Sequence, residues 1–485
     1  MTQKEKNDKK NDTYQLLKEV LINDFIFFKN QNDELFFLYE NDVHISNEDN
    51  LSKFLLLDFE YTFNRSINPN LLLQTVKAEI ASQFIHCSEQ LSTCNRLHID
   101  RNSNTILYYL NDGSKNSLEI SEDSIKYIFD EFKYGIAFES KRYSKEQVFP
   151  KFFKMTLKDA KKNLLTLKKF INTSDENFKM IIIYILCAFI KDIPHPILII
   201  LGGAGTSKST TTTFLNELID PSINEIMSLP KKDDLELVLS NRYFVAFDNI
   251  GENQITKDIS DLLCQAVTGA TVVRRKKYTD KEETYLKLNN VIVFNGITPN
   301  IFKEDLLQRS IVINMNPIDI KERRLLSDIR NEFRENLPKY LESIAVVLQH
   351  YIKNCELPIN QELSRMADFE YTGIIFSKIL FDDETIFSNA YKNNLKRYHQ
   401  KVVELDSIVA FIQEYIELYS CIEGTPSYVF DTMKRSNSSK CPATNVNSFF
   451  TKVYSKEKEL HSIGILVEHS HSKERYVKIS KTYEY

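Results

Sequence analysis

The chain has 485 residues, room for about three domains at ~150 residues each. Its 42% hydrophobic and 27% charged residues suit a globular protein with a real core, and its net charge of −5 excludes a uniformly basic surface, so any nucleic-acid contact must come from a local patch. The seven scattered cysteines argue against a disulfide framework and for a reducing cytoplasm. The most apolar run, 180–190, is too short to cross a bilayer, which needs about 20 residues.

In chain order, residues 1–12 are polar and read as a frayed tail. Residues 13–150 mix helix and strand and form an N-terminal accessory domain of α+β type. Within it, 106–110 and 118–120 read as two strands joined by the turn residues Asn111, Asp112, Gly113 and Ser114. Residues 151–355 form the central domain. It opens on helical spacing over 155–190, alternates strands and helices over 191–320, and is helical again over 321–355; that alternation is the mark of a parallel sheet covered by helices. Residues 356–404 read as a polar linker, and 405–485 as a small C-terminal domain.

The nucleotide-binding signal lies in the central domain. An apolar strand, 197–201, runs into Gly202, Gly203, Ala204, Gly205, Thr206, Ser207, Lys208, Ser209 and Thr210, followed by a helix over 210–218. Small residues let backbone N–H groups face a phosphate, and the helix start adds a positive dipole end. Lys208 would reach the β- and γ-phosphates of ATP, and the Ser209 hydroxyl would join the Mg²⁺ shell. Ser207 stands where glycine usually precedes the lysine. A second strand, 242–247, ends in Asp248, a carboxylate placed for the Mg²⁺ shell. Asn249 follows in place of a glutamate base; it can orient a water but not deprotonate it, which leaves Glu252 as a nearby candidate base. A third strand, 290–294, ends in Asn295, suited to touch the γ-phosphate or the attacking water. Arg309, just before a strand at 311–315, is positioned to act as an arginine finger in a neighbouring subunit, although a surface salt bridge would explain it as well.

Between the second and third strands lie Arg274, Arg275, Lys276, Lys277 and Tyr278, with an acidic turn and a return strand at 284–288. A basic run is often only solvated. Its place between Asp248 and Asn295 favours a hairpin whose cations hold single-stranded DNA phosphates while Tyr278 stacks or packs.

These residues, with Lys208 to Thr210, Leu218 to Ser222, Ser260 to Cys264, Val267 to Gly269, Tyr278 to Asp280, Asn295 to Ile297 and Asp305 to Ser310, resemble the helicase part of phage and mobile-element primase/helicase-like proteins. Those belong to superfamily 3 of the AAA+ ATPases, and the layout looks most like their replication initiators. The resemblance spans roughly 190–350. It implies a homo-hexameric ring, ATP hydrolysis between subunits, DNA in the central channel and 3′ to 5′ movement. Ser207 is a mild departure from that family, and Gln308, where Asp is common, puts the local support of Arg309 in doubt.

At the two ends the signals are weaker. Asp58 and Glu60 follow an apolar run and would hold metal on a strand, as in a primase, but Phe54, Leu57 and Tyr61 fit one helix face better. The C-terminal pattern is that of a winged helix: helices over 408–419, 427–435 and 445–460, then strands at 464–468 and 475–479. The third helix carries Asn445, Asn447, Lys452 and Lys456, and the wing tip carries Lys473, all candidates for duplex DNA. A protein-binding winged helix fits the same pattern. The reading as a whole is an ATP-driven replicative helicase of a mobile element, loaded at an origin through its C-terminal domain. The alternative is an initiator whose assembly ATP controls and which does not unwind DNA.

Overall fold

The computed structural model describes residues 3–40, 42–112, 116–129, 131–251, 254–275, 283–296, 304–355, 358, 362–405, 407–438, 440–470 and 476–482. The fold is mixed α/β. At its centre, four parallel strands stand in the order Phe244–Phe247, Val291–Gly296, Ile197–Leu201, Ser310–Asn314. All four are apolar and almost wholly buried, as strands covered on both faces must be. One face packs on the helices Asp175–Cys187, Lys208–Ile219 and Leu326–Asn354. The other packs on Lys232–Asn241 and Lys257–Val267. The four strands and the helix after the glycine-rich loop agree with the expected alternation to within one or two residues at most ends.

The N-terminal region is less independent than its sequence suggests. Its first part packs the helices Gln3–Asp24, Glu48–Phe63 and Pro69–His86 on a three-stranded antiparallel sheet. The first helix therefore takes in residues expected as a frayed tail; Leu17, Val20 and Leu21 bury its C-terminal half. Asp58 and Glu60 lie on the second helix, one half-buried and one exposed, as the helical reading of that segment required. The second part is a four-stranded meander that includes Thr105–Tyr109 and Ser117–Ile120, paired antiparallel. Its Ile106, Tyr108, Leu118 and Ile120 belong to the same core as the central sheet.

The expected linker is two long helices, Ala367–Phe381 and Thr385–Leu405. Phe369, Ile375, Phe376, Phe387 and Tyr391 join the main core. The buried Asn394 amide accepts from Val312 N at 3.0 Å and donates to Val312 O at 2.7 Å. It thereby completes the open edge of the central sheet, where a backbone pair would otherwise lack partners. The segment looked like a linker because its polar residues mask this work.

The C-terminal unit has its own core. Helices Ser407–Tyr419, Pro426–Ser436 and Val446–Ser455 precede a hairpin of Ile465–Ser470 and Tyr476–Lys481, and Cys421–Gly424 adds a third strand. The helix expected over 445–460 breaks at Lys456, with a short second helix Glu457–Ser462. All seven cysteines are free, and among the described residues no helix is long and apolar enough to cross a membrane.

Candidate nucleotide-binding site

Parallel pairing brings Asp248, Asn295 and the glycine-rich loop to the C-terminal end of the sheet. Leu201 pairs with Gly296, Ile200 with Asn295, and Phe247 with Phe294. Asp248 is one step beyond the last of these pairs, so it stands beside Asn295, and the glycine-rich loop leaves from Leu201 just above.

The loop conformation follows from its residues. A Cβ on Gly202 would come within 2.6 Å of Thr206 Oγ1 and 3.3 Å of Met315 Cβ, so only glycine fits. Gly205 takes φ +75° and Ser207 φ +66°, both left-handed. Thr206 is buried and ties the turn through Gly203 O at 2.9 Å. Ala204 is exposed at the tip. Among the described residues, the N–H groups of Gly203, Ala204, Gly205 and Ser207 have no acceptor in the chain. Helix Lys208–Ile219 starts immediately after, with its own first N–H groups open and Thr210 in its first turn. Such a loop is built to take an anion.

Lys208 Nζ donates to Gly202 O at 2.6 Å and Gly203 O at 2.8 Å, a posture in which the ammonium holds the loop's own carbonyls. Ser209 Oγ donates to Asp248 Oδ2 at 3.0 Å. Asp248 Oδ1 in turn accepts from Asn249 N at 2.9 Å. A hydroxyl and one carboxylate suit Mg²⁺, which keeps several waters and needs few protein ligands. Asn249 itself is exposed with φ +54°. Asparagine tolerates the left-handed region better than glutamate does, which accounts for the residue found here. Asn295 is fully buried; its Oδ1 accepts from Thr212 Oγ1 at 2.8 Å, while its Nδ2 has no partner among the described residues. An orphan donor costs about 1–3 kcal/mol when buried, and an oxygen of phosphate or water would satisfy it. Thr212 was not anticipated, although its place one helical turn after Lys208 puts it on the same face.

Arg309 stands at the other end of the sheet. Strand Ser310–Asn314 runs parallel to Ile197–Leu201 with Ile197 opposite Ser310. Arg309 is thus about a whole strand, roughly 16 Å, from the loop of its own chain. Its guanidinium is 13% exposed and bonds Asp305 Oδ1 at 2.5 Å. Arg365 Nη1 reaches the same carboxylate at 2.9 Å and Gln308 Oε1 at 2.8 Å. Cys264 Sγ donates to Asp305 Oδ2 at 3.3 Å. Burial and that hydrogen bond push the Cys264 thiol up to about 12. Burial alone would raise Asp305, but bonds from Arg309 and Cys264 outweigh it and hold the carboxyl below its usual range. Asp305 therefore supports Arg309, and Gln308 supports Arg365 instead.

The basic hairpin forms: Thr271–Arg275 pairs antiparallel with Glu283–Lys287. The backbone of Arg274 and Arg275 lies on its first strand. Lys276, Lys277 and Tyr278, like Glu252 and Lys473, fall outside the described residues. In the C-terminal unit, Asn445 caps its helix by accepting from Ser448 N at 2.9 Å. Lys452 donates to Pro442 O at 2.6 Å, and Lys456 pairs with Glu459 at 3.0 Å. Asn445, Asn447 and Lys452 are all exposed, and among the described residues the Asn447 side chain alone of these makes no hydrogen bond. Sequence spacing could not separate a helix cap from a base reader.

Residues 161–382 match a replication-protein family. The family is described as the actinomycete integrative conjugative element replication protein, and the match covers somewhat under half of the chain. It takes in the glycine-rich loop, Asp248, Asn295, Arg309 and the first of the two helices expected as linker. No curated protein matches the chain. Among solved structures, the apo C-terminal region of NrS-1 (305–718) and its A form align over 96% of this chain and 98% of theirs, at 12% identity, with TM-scores of 0.43 and 0.41.

Proposed function

We propose that this chain is an ATP-driven DNA helicase of the AAA+ superfamily 3 type that acts in the replication of a mobile element. The observation that carries the reading is the Ser209 to Asp248 bond at 3.0 Å beneath a loop whose N–H groups lack acceptors, with Lys208 on one side and the orphan Asn295 donor on the other. These are the parts that phosphoryl-transfer sites share: an anion cradle, a cation, a metal shell and a donor near the attacked phosphate. The likeness of residues 161–382 to a mobile-element replication protein supports the replication role.

In this reading ATP lies over residues 202–210. Lys208 would turn from the loop carbonyls to the phosphates, and Ser209 with Asp248 would hold Mg²⁺, which would neutralise charge on the phosphate chain. Asn295 and Asn249 orient water. The hairpin 271–287 lines a DNA channel in a homo-hexamer, and Arg309 completes a neighbour's site. The C-terminal unit acts in this reading as a winged helix, and its duplex contacts would run through Asn447 more than through the engaged Asn445, Lys452 and Lys456.

The test is strand displacement from a forked duplex with ATP, beside Lys208→Ala. Unwinding by the wild type alone supports the motor. ATP hydrolysis and duplex binding without unwinding would replace it with an ATP-controlled initiator.

A further inference from the structure

The strand Ser310–Asn314 is preceded directly by one arginine and followed, beyond a short turn, by another. Arg309 precedes it, at the end of the sheet away from the glycine-rich loop. At its other end the chain emerges beside that loop: Asn314 pairs with Leu201, and Met315 lies against Gly202. A short 3-10 turn, Ile320–Glu322, capped by Asp319 through Lys321 N at 3.0 Å, then brings the chain back over the loop. The next residue is Arg323. A Cβ built on Gly205 would meet Arg323 Nη2 at 3.3 Å and Cζ at 3.9 Å, so the guanidinium is in contact with the tip of the anion cradle.

Arg323 is exposed, and among the described residues its guanidinium has no carboxylate, hydroxyl or carbonyl partner. Lys208 likewise has no acidic partner there and bonds only to carbonyls. The neighbouring Arg324, by contrast, is spent on Glu332 at 2.6 Å. Two unneutralised cations beside a loop of open N–H groups repel each other until an anion arrives between them. The segment itself is not pinned by the core, since Ile320, Leu325 and Leu326 are all exposed, so the side chain can follow a ligand.

We propose that Arg323 binds the phosphate chain of the nucleotide held by its own subunit, as a second cation beside Lys208. This rests on the nucleotide-binding reading of residues 202–210. Helical spacing over 321–355 hid it from the sequence; the helix begins only at Leu326, and the preceding turn faces the loop.

The experiment is equilibrium binding of a fluorescent, non-hydrolysable ATP analogue with Mg²⁺ to the full chain. The variants are Arg323→Ala, Arg323→Lys, Arg324→Ala and Lys208→Ala, each checked by thermal unfolding without nucleotide. Loss of a charge-assisted contact should weaken binding of Arg323→Ala by roughly ten- to a hundredfold at unchanged unfolding temperature. Arg323→Lys should recover part of it and Arg324→Ala should bind as wild type. The corresponding AMP analogue, which lacks the outer phosphates, should lose far less. Wild-type affinity in Arg323→Ala, with binding abolished in Lys208→Ala, overturns this assignment and leaves the site standing. No binding by the wild type overturns both.

Discussion

A side chain forced to positive φ raises the energy of the folded chain by about 1–2 kcal/mol relative to glycine. Ser207 carries that strain at φ +66° with no cap bond from its hydroxyl. Ser207→Gly is expected to leave ATP hydrolysis intact and to raise stability by up to about 1 kcal/mol, the relief of strain being partly offset by the entropy of glycine. The denaturant midpoint reads this out directly; a fall in hydrolysis would instead assign the hydroxyl a role. A different cost attaches to His195. Burial holds its imidazole neutral and its pKa down at about 3, against 6.5 when exposed. Between those values the unfolded chain binds more protons than the folded one, so stability is lost as pH falls from 6.5 toward 3. His98, lowered by burial and by Lys191, adds to the same slope. In the window from pH 6.5 to 5, above the range of ordinary carboxylates, His195→Gln should flatten the decline of stability with falling pH. An unchanged slope would mean that His195 charges freely in the folded state.

The helix Lys208–Ile219 is held at both ends. Its start meets the anion cradle, and its last carbonyls are satisfied by the N-terminal region. Gln147 Nε2 donates to Glu217 O and Leu218 O, each at 3.1 Å, and Tyr108 Oη donates to Ile219 O at 2.9 Å. Arg96, 1% exposed, pairs with Asp220 at 2.8 Å, at the helix C-cap. Arg96→Met should therefore destabilise the fold by about 3–5 kcal/mol, because Asp220 stays buried without its partner. Urea unfolding measures it, and adding Asp220→Leu should recover part of the loss. The helices 367–381 and 385–405 give a test in which even the sign is informative. In a solvated linker helix Gly373→Ala would stabilise by about 1 kcal/mol. Here the new Cβ would meet Phe387 Cε1 at 2.2 Å, and Phe387 is stacked on Tyr391 with ring centroids 5.5 Å apart. The ring has nowhere to move, and Gly373→Ala should cost about 1–3 kcal/mol.

The central sheet was legible because burial on both faces writes itself as unbroken apolar runs such as 197–201, and because glycine, lysine and serine follow in a fixed order. What was not legible depends on contacts far apart in sequence. Nothing local marks Arg96 as the partner of Asp220, Asn394 as the cover of a sheet edge, or Arg365 as a second cation on Asp305. The same distance logic bears on assembly. Since Arg309 is a strand length away from the loop of its own chain, it can serve a nucleotide only across a contact between copies, with the loop of one facing the opposite end of the sheet of the next. Lys208→Ala and Arg309→Ala should each lose DNA-stimulated hydrolysis when assayed alone. Mixed in equal amounts, an Arg309→Ala subunit lends its intact loop and a Lys208→Ala neighbour its intact arginine. In a ring filled at random, roughly a quarter of the interfaces are then whole, and about that share of activity should return. Mixing after the subunits have exchanged should reveal it; mixing without exchange should not. If the arginine instead acted within its own chain, no combination of the two variants would contain a complete site, and the mixture would stay as inactive as its parts.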